Sequence, residues 1–342
     1  IFRKVILMKN VLVTGGCGFL GSHLVEKLVS AGINVEIVDN LSTGNLSNLS
    51  SLNIRVIPPG FAREFFKQNK QSTHNNQVLI MQDDFAANDI IERISNCTYD
   101  AVFHFGGLAG HALSNTHTSL TTETNVLKTT KLLQAAAVGR SRFIFASSCA
   151  VYDNTNVPCK EDDNLKPTSP YAAQCIFMEN LIDIIGARYQ LDTLILRFFN
   201  IFGPRQGVNP PYSGFISAIC DSIKNDRPLR LDGDGTQVRD YMYVNDAINL
   251  TLKICRLKNN NSACNMTFNI GTGVGTSNEL IIDAVADILN KDSLDVMRVP
   301  GESPGVEHSI SDNTRLLNFT KFKSFTNVPD GLRKTLKSWN IV

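Results

Sequence analysis

The sequence contains no uninterrupted apolar run of about 18 residues, so no membrane-spanning helix is expected from it. It also lacks net charge: 33 Lys+Arg against 32 Asp+Glu leave +1 with histidine neutral. A broad electrostatic footprint for nucleic acid or an anionic membrane surface is therefore not expected. Its eight cysteines are scattered over 342 residues and none forms a C-x-x-C pair. Free thiols in a reducing cytosol are expected rather than disulfides or zinc, and no metal site is assigned. There are no internal repeats and no low-complexity tract beyond Asn-rich pieces. The opening stretch Ile1 to Met8, basic then apolar, is shorter than a secretory signal and has no small-residue cleavage site. The residues before Met8 are expected to be an upstream extension.

With 43% hydrophobic residues over 342 positions, the chain can bury a large core and has length for about two domains. Its first half alternates strand and helix patterns. Val11 to Val13, Val35 to Val38, Val78 to Met81, Ala101 to His104 and Arg142 to Phe145 are short apolar runs of strand length. Gly21 to Ser30 carries Leu24, Val25, Leu28 and Val29 at helical spacing, and a longer helical stretch is predicted from about Asn115 to Ala137. Strands separated by helices imply an α/β fold, a parallel sheet with helices on both faces. Residues 46–77 are polar, rich in Asn and Gln and broken by Pro58-Pro59-Gly60, so a surface insertion is expected there. Later Pro and Gly clusters predict a smaller, loop-rich region over the carboxyl edge of the sheet.

The strongest local signal is Thr14-Gly15-Gly16-Cys17-Gly18-Phe19-Leu20-Gly21-Ser22. It follows the first strand and opens the first helix. Gly15 permits a tight turn, Gly18 lets backbone approach a pyrophosphate, and Gly21 lets helix and strand pack closely. The helix amino end then offers unpaired N–H groups and a partial positive charge. Asp39 ends the second strand, 18 residues beyond Gly21. A carboxylate there accepts from ribose hydroxyls and repels a 2′-phosphate, which favours NAD over NADP.

A redox cofactor needs a reacting partner. Ser148 follows the strand through Phe145 and so falls at the carboxyl edge, where ligands bind in such folds. Tyr171 begins a helical pattern after Ser169-Pro170. A phenol serves as a general base only if its pKa drops from about 10 towards neutrality. One unit charge at about 4 Å, at an effective dielectric near 20, supplies roughly 4 kcal/mol, or about three pKa units.

Taken in order, these motifs resemble the extended short-chain dehydrogenase/reductase family, in particular the nucleotide-sugar epimerases and dehydratases. The resemblance runs from about Lys9 to about Phe319 and is nearest to UDP-N-acetylglucosamine and UDP-glucose 4-epimerases. It rests on the glycine motif, Asp39-Asn40-Leu41-Ser42-Thr43-Gly44, Asp83-Asp84-Phe85, His104-Phe105-Gly106-Gly107, Ser147-Ser148-Cys149-Ala150-Val151-Tyr152, Ser169-Pro170-Tyr171, Arg197 to Gln206, Gly233 to Tyr241 and Asn269 to Gly273. It implies a Rossmann-like, doubly wound parallel sheet with a smaller α/β substrate-binding domain. The NAD-binding domain would be 8–199 plus 236–271, and the nucleotide-sugar domain 200–235 plus 272–342.

The resemblance also implies roles. Gly15, Gly18, Phe19, Leu20, Gly21, Asp39, Asn40, Ser42, Thr43 and Gly44 would hold the adenosine diphosphate half of NAD. Asp84 and Phe85 would frame the adenine. Phe105, Gly106, Gly107, Asn125, Tyr171 and Phe199 would complete the cofactor site. Ser148 and Tyr171 would act on the sugar, and Asn200 and Arg239 would bind the diphosphate of a UDP-sugar, with Arg298 a second phosphate ligand. Ser309 resembles the small residue that leaves room for an N-acetyl group. Family members also pair two helices in a four-helix bundle, which implies a homodimer through 115–137 and 171–189.

Two features narrow the reaction. Sugar 4,6-dehydratases carry an acid pair just after the Ser/Thr, and nucleotide-sugar decarboxylases a Glu in the same stretch. Here the positions are Cys149 and Ala150, which leaves C4 inversion through a transient 4-ketosugar. The family also reads Tyr-x-x-x-Lys, where this chain reads Tyr171-Ala172-Ala173-Gln174-Cys175. The lysine that lowers the tyrosine pKa is replaced by Cys175, on the same helix face. Three readings stay open: a 4-epimerase slowed by the missing lysine, a non-catalytic binder of NAD or a nucleotide sugar, and a dehydratase or ketosugar reductase.

Overall fold

A computed structural model describes residues 8–68, 77–153, 157–207, 214–256, 266–300 and 306–342. The chain runs β1 (Asn10–Thr14), α1 (Phe19–Ser30), β2 (Asn34–Val38), β3 (Ile54–Ile57), α2 (Ala62–Gln68), β4 (Val78–Met81), α3 (Asn88–Ser95) and β5 (Ala101–His104). Then come α4 (His111–Thr116), α5 (Thr118–Thr122), a π-helical stretch (Glu123–Lys128), α6 (Thr129–Val138), β6 (Arg142–Ser148), α7 (Pro170–Tyr189) and β7 (Thr193–Phe198). It continues with β8 (Asn200–Phe202), α8 (Phe215–Lys224), β9 (Leu229–Asp232), β10 (Val238–Tyr243), α9 (Val244–Arg256) and β11 (Met266–Ile270). The last elements are β12 (Gly275–Ser277), α10 (Asn278–Ile288), β13 (Val296–Val299), β14 (His308–Ser309), α11 (Thr314–Thr320) and α12 (Val328–Ser338).

Two compact units divide this chain. The first takes Ile1–Ser147, Ser169–Leu196 and Leu252–Thr267. Its core is a large parallel sheet of eight strands in the order β11-β7-β6-β5-β1-β2-β4-β3. The apolar runs read as strands form it because both faces are covered: every residue of β4 and of β5 is buried. Leu12, Leu79, Val102 and Phe143 from the sheet pack with Leu132, Leu133, Met178 and Ile182 from α6 and α7. The order reverses between β1 and β5, whose strands pair directly, Val11 with Ala101 through Thr14 with His104. That is the switch point at which doubly wound sheets open a crevice beyond their carboxyl ends.

Two expectations need correction. Residues 46–68 are not an insertion: they supply β3, paired in parallel with β4 from Ile54↔Val78 to Ile57↔Met81, and then α2. β3 is an edge strand of four residues, Ile54-Arg55-Val56-Ile57, whose short apolar pattern is broken by the exposed Arg55. Residues 69–76 of that stretch lie outside the described residues. The helix expected over 115–137 is interrupted. α4 stops at Thr116, and a π-helical stretch separates α5 from α6.

The second unit takes Ser148–Thr168, Arg197–Thr251 and Phe268–Val342. Its sheet is built on β10, which pairs antiparallel with β12 and parallel with β14 and β8. β9 and β13 form a separate parallel ribbon. A buried polar knot ties the turn after β6 to the end of β11. The Tyr152 hydroxyl donates to Asn269 Oδ1 at 2.7 Å and accepts from the Arg197 guanidinium at 2.8 Å, and Glu161 Oε1 accepts the Asn269 N–H at 3.0 Å. No helix among the described residues is long and apolar enough to cross a membrane.

Candidate functional site

All the cofactor candidates except Phe199 lie in the first unit. Gly15 turns the chain out of β1 with φ +68°. A Cβ there would meet the Phe105 carbonyl oxygen at 2.7 Å and Gly106 Cα at 2.8 Å. The loop after β1 and the loop after β5 therefore touch across the switch point, and only a glycine permits it. At Gly21, the third residue of α1, a Cβ would lie 2.0 Å from the Gly15 carbonyl oxygen. Helix α1 begins at Gly18 without a side-chain cap, so its first N–H groups stay available to an anion.

Asp39 is buried at the end of β2. Its Oδ2 accepts the Cys17 N–H at 2.8 Å and its Oδ1 the Leu41 N–H at 2.9 Å. Burial raises its carboxyl above the usual range, while those two N–H donors pull it down. Each oxygen keeps acceptor capacity for a ribose hydroxyl. Beyond it, Asn40 Oδ1 accepts the Ser42 N–H at 3.0 Å, and Ser42 and Thr43 are exposed. Asp84 sits after β4, with Oδ1 accepting the Ala86 N–H at 2.9 Å and Oδ2 the Lys128 ammonium at 2.7 Å. That bond to Asp84 holds the Lys128 ammonium more firmly than usual. Phe85 meets the His104 ring edge-on at 4.8 Å.

His104 organises the switch point. Thr129 Oγ1 donates to the Thr124 carbonyl at 3.2 Å, so it must accept from His104 Nε2, 2.9 Å away. His104 Nδ1 is then an acceptor for the Thr14 hydroxyl at 2.7 Å, which itself accepts the Gly106 N–H at 3.1 Å. This chain of donors assigns the Nε2–H tautomer. Burial pushes the imidazole down to about 3, so it is neutral.

Tyr171 is the second residue of α7. Ser169 Oγ caps that helix by accepting the Ala172 N–H at 3.2 Å, and Pro170 occupies its first turn. Cys175 and Glu179 follow on the same face at steps of four. Both are buried, and Ser147 on β6 donates to Glu179 Oε1 at 2.5 Å. Ser148 is the next residue of that strand and belongs to the second unit. Its Oγ accepts the Ala150 N–H at 3.2 Å.

In the second unit, β10 brings the substrate candidates together. Arg239 pairs with Ser309 and Tyr241 with Asn200. Residues 239 and 241 share one face of the strand, and paired neighbours project to that same side. Burial raises the Cys149 thiol above its ordinary range, while nearby Ser309, Ser148 and the Arg239 charge pull it down. Among the described residues, the half-buried Arg239 guanidinium bonds the Val238 and Glu307 carbonyls, at 2.9 and 3.3 Å. Burial pushes it below the usual guanidinium range. Asn200 Nδ2 is buried with no hydrogen-bond partner among the described residues. Phe199, also buried, donates its N–H to the Ile270 carbonyl at 3.1 Å and tilts over Tyr152. Arg298 stands apart on β13, with its guanidinium on Glu279 at 2.8 and 3.0 Å.

Asp240, on the opposite face of β10, has no side-chain role in the sequence reading. It is fully buried and takes five donors: the Thr272 N–H and hydroxyl, the Gly273 N–H, and the Ser311 N–H and hydroxyl. It thus ties β10 to the turn after β11 and to the residues after β14. His104 and Gln174 were likewise missed as organising groups. The only signal was a polar residue inside an otherwise apolar pattern.

Residues 11–271 match the NAD dependent epimerase/dehydratase family, to which this chain belongs. NAD is the cofactor of that family, and the glycine cradle and Asp39 fit it. The UDP-N-acetyl-alpha-D-glucosaminuronate decarboxylase of Bacillus cytotoxicus is 31% identical over 97% of this chain and 98% of its own length. A putative UDP-glucose 4-epimerase of Methanocaldococcus jannaschii is 31% identical over 80% of this chain and 81% of its own. Among solved structures, the UDP-N-acetylglucosamine 4-epimerase of Methanobrevibacter ruminantium M1, in complex with UDP-N-acetylmuramic acid, superposes with a TM-score of 0.82. It is 32% identical and covers 98% of this chain and 99% of that one.

With Asp39 as ribose acceptor, Asp39→Asn is expected to weaken NAD binding about ten- to a hundred-fold, the loss of charge-assisted hydrogen bonds. It should also narrow the preference over NADP. Calorimetric titration with each dinucleotide checks this, and an unchanged NAD affinity would remove Asp39 from the site. For His104, the unfolded chain binds a proton near pH 6.5 that the folded chain refuses until about 3. Its contribution to stability is therefore complete above about 6.5 and lost as pH falls towards 3, at about 1.4 kcal/mol per pH unit. Urea unfolding at pH 6.5 and 4.5 should show a steeper loss in the parent than in His104→Asn; equal losses would contradict it.

Proposed function

We propose that the chain is an NAD-dependent UDP-sugar 4-epimerase acting on UDP-N-acetylglucosamine or UDP-glucose. The observation that carries this reading is the cluster on β10. A half-buried guanidinium with no acidic partner among the described residues shares a sheet face with an orphaned buried amide donor. An unpaired buried donor costs about 1–3 kcal/mol, so this face is built to meet an acceptor that carries negative charge. A sugar-nucleotide diphosphate supplies both. Arg298 could join only by exchanging Glu279 for phosphate. Ser309, small and buried beside Arg239, is the residue that in this reading would leave room for an acylamino group. Cys149 and Ala150 offer no carboxyl group after Ser148, which sets the chain apart from dehydration and decarboxylation.

The proposed domain bounds, 8–199 plus 236–271 for the cofactor and 200–235 plus 272–342 for the nucleotide sugar, differ from the two compact units in placing 236–251, β10 included, with the cofactor. Tyr171 takes the proton of the sugar C4 hydroxyl and returns it, while the Ser148 hydroxyl donates to the same oxygen. NAD, which the glycine cradle and Asp39 would hold, would supply a reversible hydride acceptor for C4. The phenol must be ionised for this step. The amino end of the 20-residue helix α7 favours phenolate by about 0.3–1 kcal/mol, less than one pKa unit. A lysine at position 175 would supply roughly three units. Catalysis should therefore be slow at neutral pH and rise in alkali.

Incubation with UDP-N-acetylglucosamine and UDP-glucose, with products read by NMR, tests the proposal. C4-inverted product is expected, lost at least a thousand-fold in Tyr171→Phe. Cys175→Lys should move the acid limb of the pH–rate profile down by about one to three units. Cys175 favours one other reading, a non-catalytic binder of NAD and nucleotide sugar, and absence of turnover in both parent and Cys175→Lys would support it.

The same reading includes a homodimer. Leu120 and Leu127 are exposed at seven-residue spacing around the π-helical stretch, and Phe177 and Ile184 at the same spacing on α7. Such paired apolar seams suit a two-fold four-helix bundle. Light scattering should give twice the 37.7 kDa chain mass, falling to one chain in Leu127→Asp/Ile184→Asp. A single-chain mass for the parent would contradict the dimer.

A further inference from the structure

Gln174 lies between Tyr171 and the position of the missing lysine, and it is buried at 5% exposure. Its carbonyl Oε1 accepts Asn125 Nδ2 at 2.9 Å, and its Nε2 donates to the Thr121 and Thr122 hydroxyls at 2.9 and 3.1 Å. Asn125 uses the rest of its amide on the backbone of one residue, Leu108, in the loop after β5. Oδ1 accepts the Leu108 N–H at 2.8 Å, and Nδ2 donates to the Leu108 carbonyl at 2.8 Å. Both side-chain amides thus spend all four of their N–H bonds, and both carbonyl oxygens are occupied. Asn125 sits inside the π-helical stretch, where the wider turn offsets it from the regular helical register.

This relay spans four segments of the first unit: α7, α5, the π-helical stretch and the loop after β5. The far end of that loop is held separately, by the Gly106 N–H on Thr14. Tyr171 is three residues before Gln174, on an adjoining flank of α7. We infer that Gln174 is a positioning residue that fixes the helix carrying Tyr171 against the loop after β5. The tether is a neutral amide rather than an ammonium, so it orders the phenol without lowering its pKa. The inference rests on Tyr171 being the base. Its geometric content, the restraint of Leu108, does not.

The test compares Gln174→Met, which keeps volume but no hydrogen bonds, with Gln174→Glu. The carboxylate of the second still accepts from Asn125 and from the Thr122 hydroxyl, whereas the Thr121 proton is held by the Thr118 carbonyl and must turn from it. Hydrogen exchange of the segment 105–112 is measured on the full chain without substrate, and turnover is measured on the same samples. Gln174→Met is expected to exchange at Leu108 at least ten-fold faster. Its kcat should fall at least ten-fold and its KM for the UDP-sugar should stay within two-fold. Gln174→Glu should stay within three-fold of the parent in exchange and kcat. Parent-like exchange in Gln174→Met would overturn the tether, as would full loss of protection in a folded Gln174→Glu; the latter decides the matter if the Met variant does not fold. A parent without turnover would instead sink the epimerase reading, and the exchange measurement would still decide the tether.

Discussion

The close approach of two loops at the reversal of strand order is the constraint on which the rest depends. Gly15 rests on the backbone of Phe105 and Gly106, and Thr14 receives the Gly106 N–H while its own hydroxyl is held by His104. A parallel sheet places its strand ends in one row, and the change of direction between β1 and β5 opens a crevice there. Its floor is lined by N–H groups and glycines, because side chains on either loop would fill it. The neutral histidine is what lets the floor be polar and buried together. A charged ring in that position would lack any partner for its charge.

Around this point the fold sorts its polar groups by task. Buried and saturated groups set geometry: His104 among Thr14 and Thr129, Gln174 with Asn125, Asp240 with its five donors, Tyr152 with Asn269 and Arg197. Other groups keep spare capacity among the described residues: the uncapped start of α1, the open lone pairs of Asp39, Arg239 without an acid, and Asn200 Nδ2 without a partner. Arg239 and Asp240 show the contrast on adjacent residues of one strand. Among the described residues, one side chain is held by carbonyls, and the other is fully satisfied on the reverse face.

Much of this was legible in the sequence for a physical reason. The glycine spacing, Asp39 and the Ser169-Pro170 cap before Tyr171 are local constraints, each imposed by backbone geometry within a few residues. Fully buried strands also announce themselves, since Val78 to Met81 is apolar throughout. β3 did not, because an edge strand with Arg55 outward carries no continuous apolar run. The break in the helix before α6 is likewise non-local. It accompanies Asn125 reaching Leu108 and Thr129 reaching His104, partners that only the tertiary fold supplies. Arg298 illustrates the opposite limit: its motif suggested a phosphate ligand, and the fold lays it against Glu279.

The departure at Cys175 separates two tasks that one lysine performs in the family pattern, ordering the site and lowering the tyrosine pKa. Packing of α7 through Glu179 and Gln174 can meet the first, and no cation on this helix face meets the second. The central claim is that a sugar C4 hydrogen leaves and returns within one closed site. The most direct measurement follows the fate of deuterium at C4 in labelled UDP-N-acetylglucosamine or UDP-glucose. The expected result is inverted product that keeps its label at C4. Inverted product carrying solvent hydrogen at that carbon would contradict it.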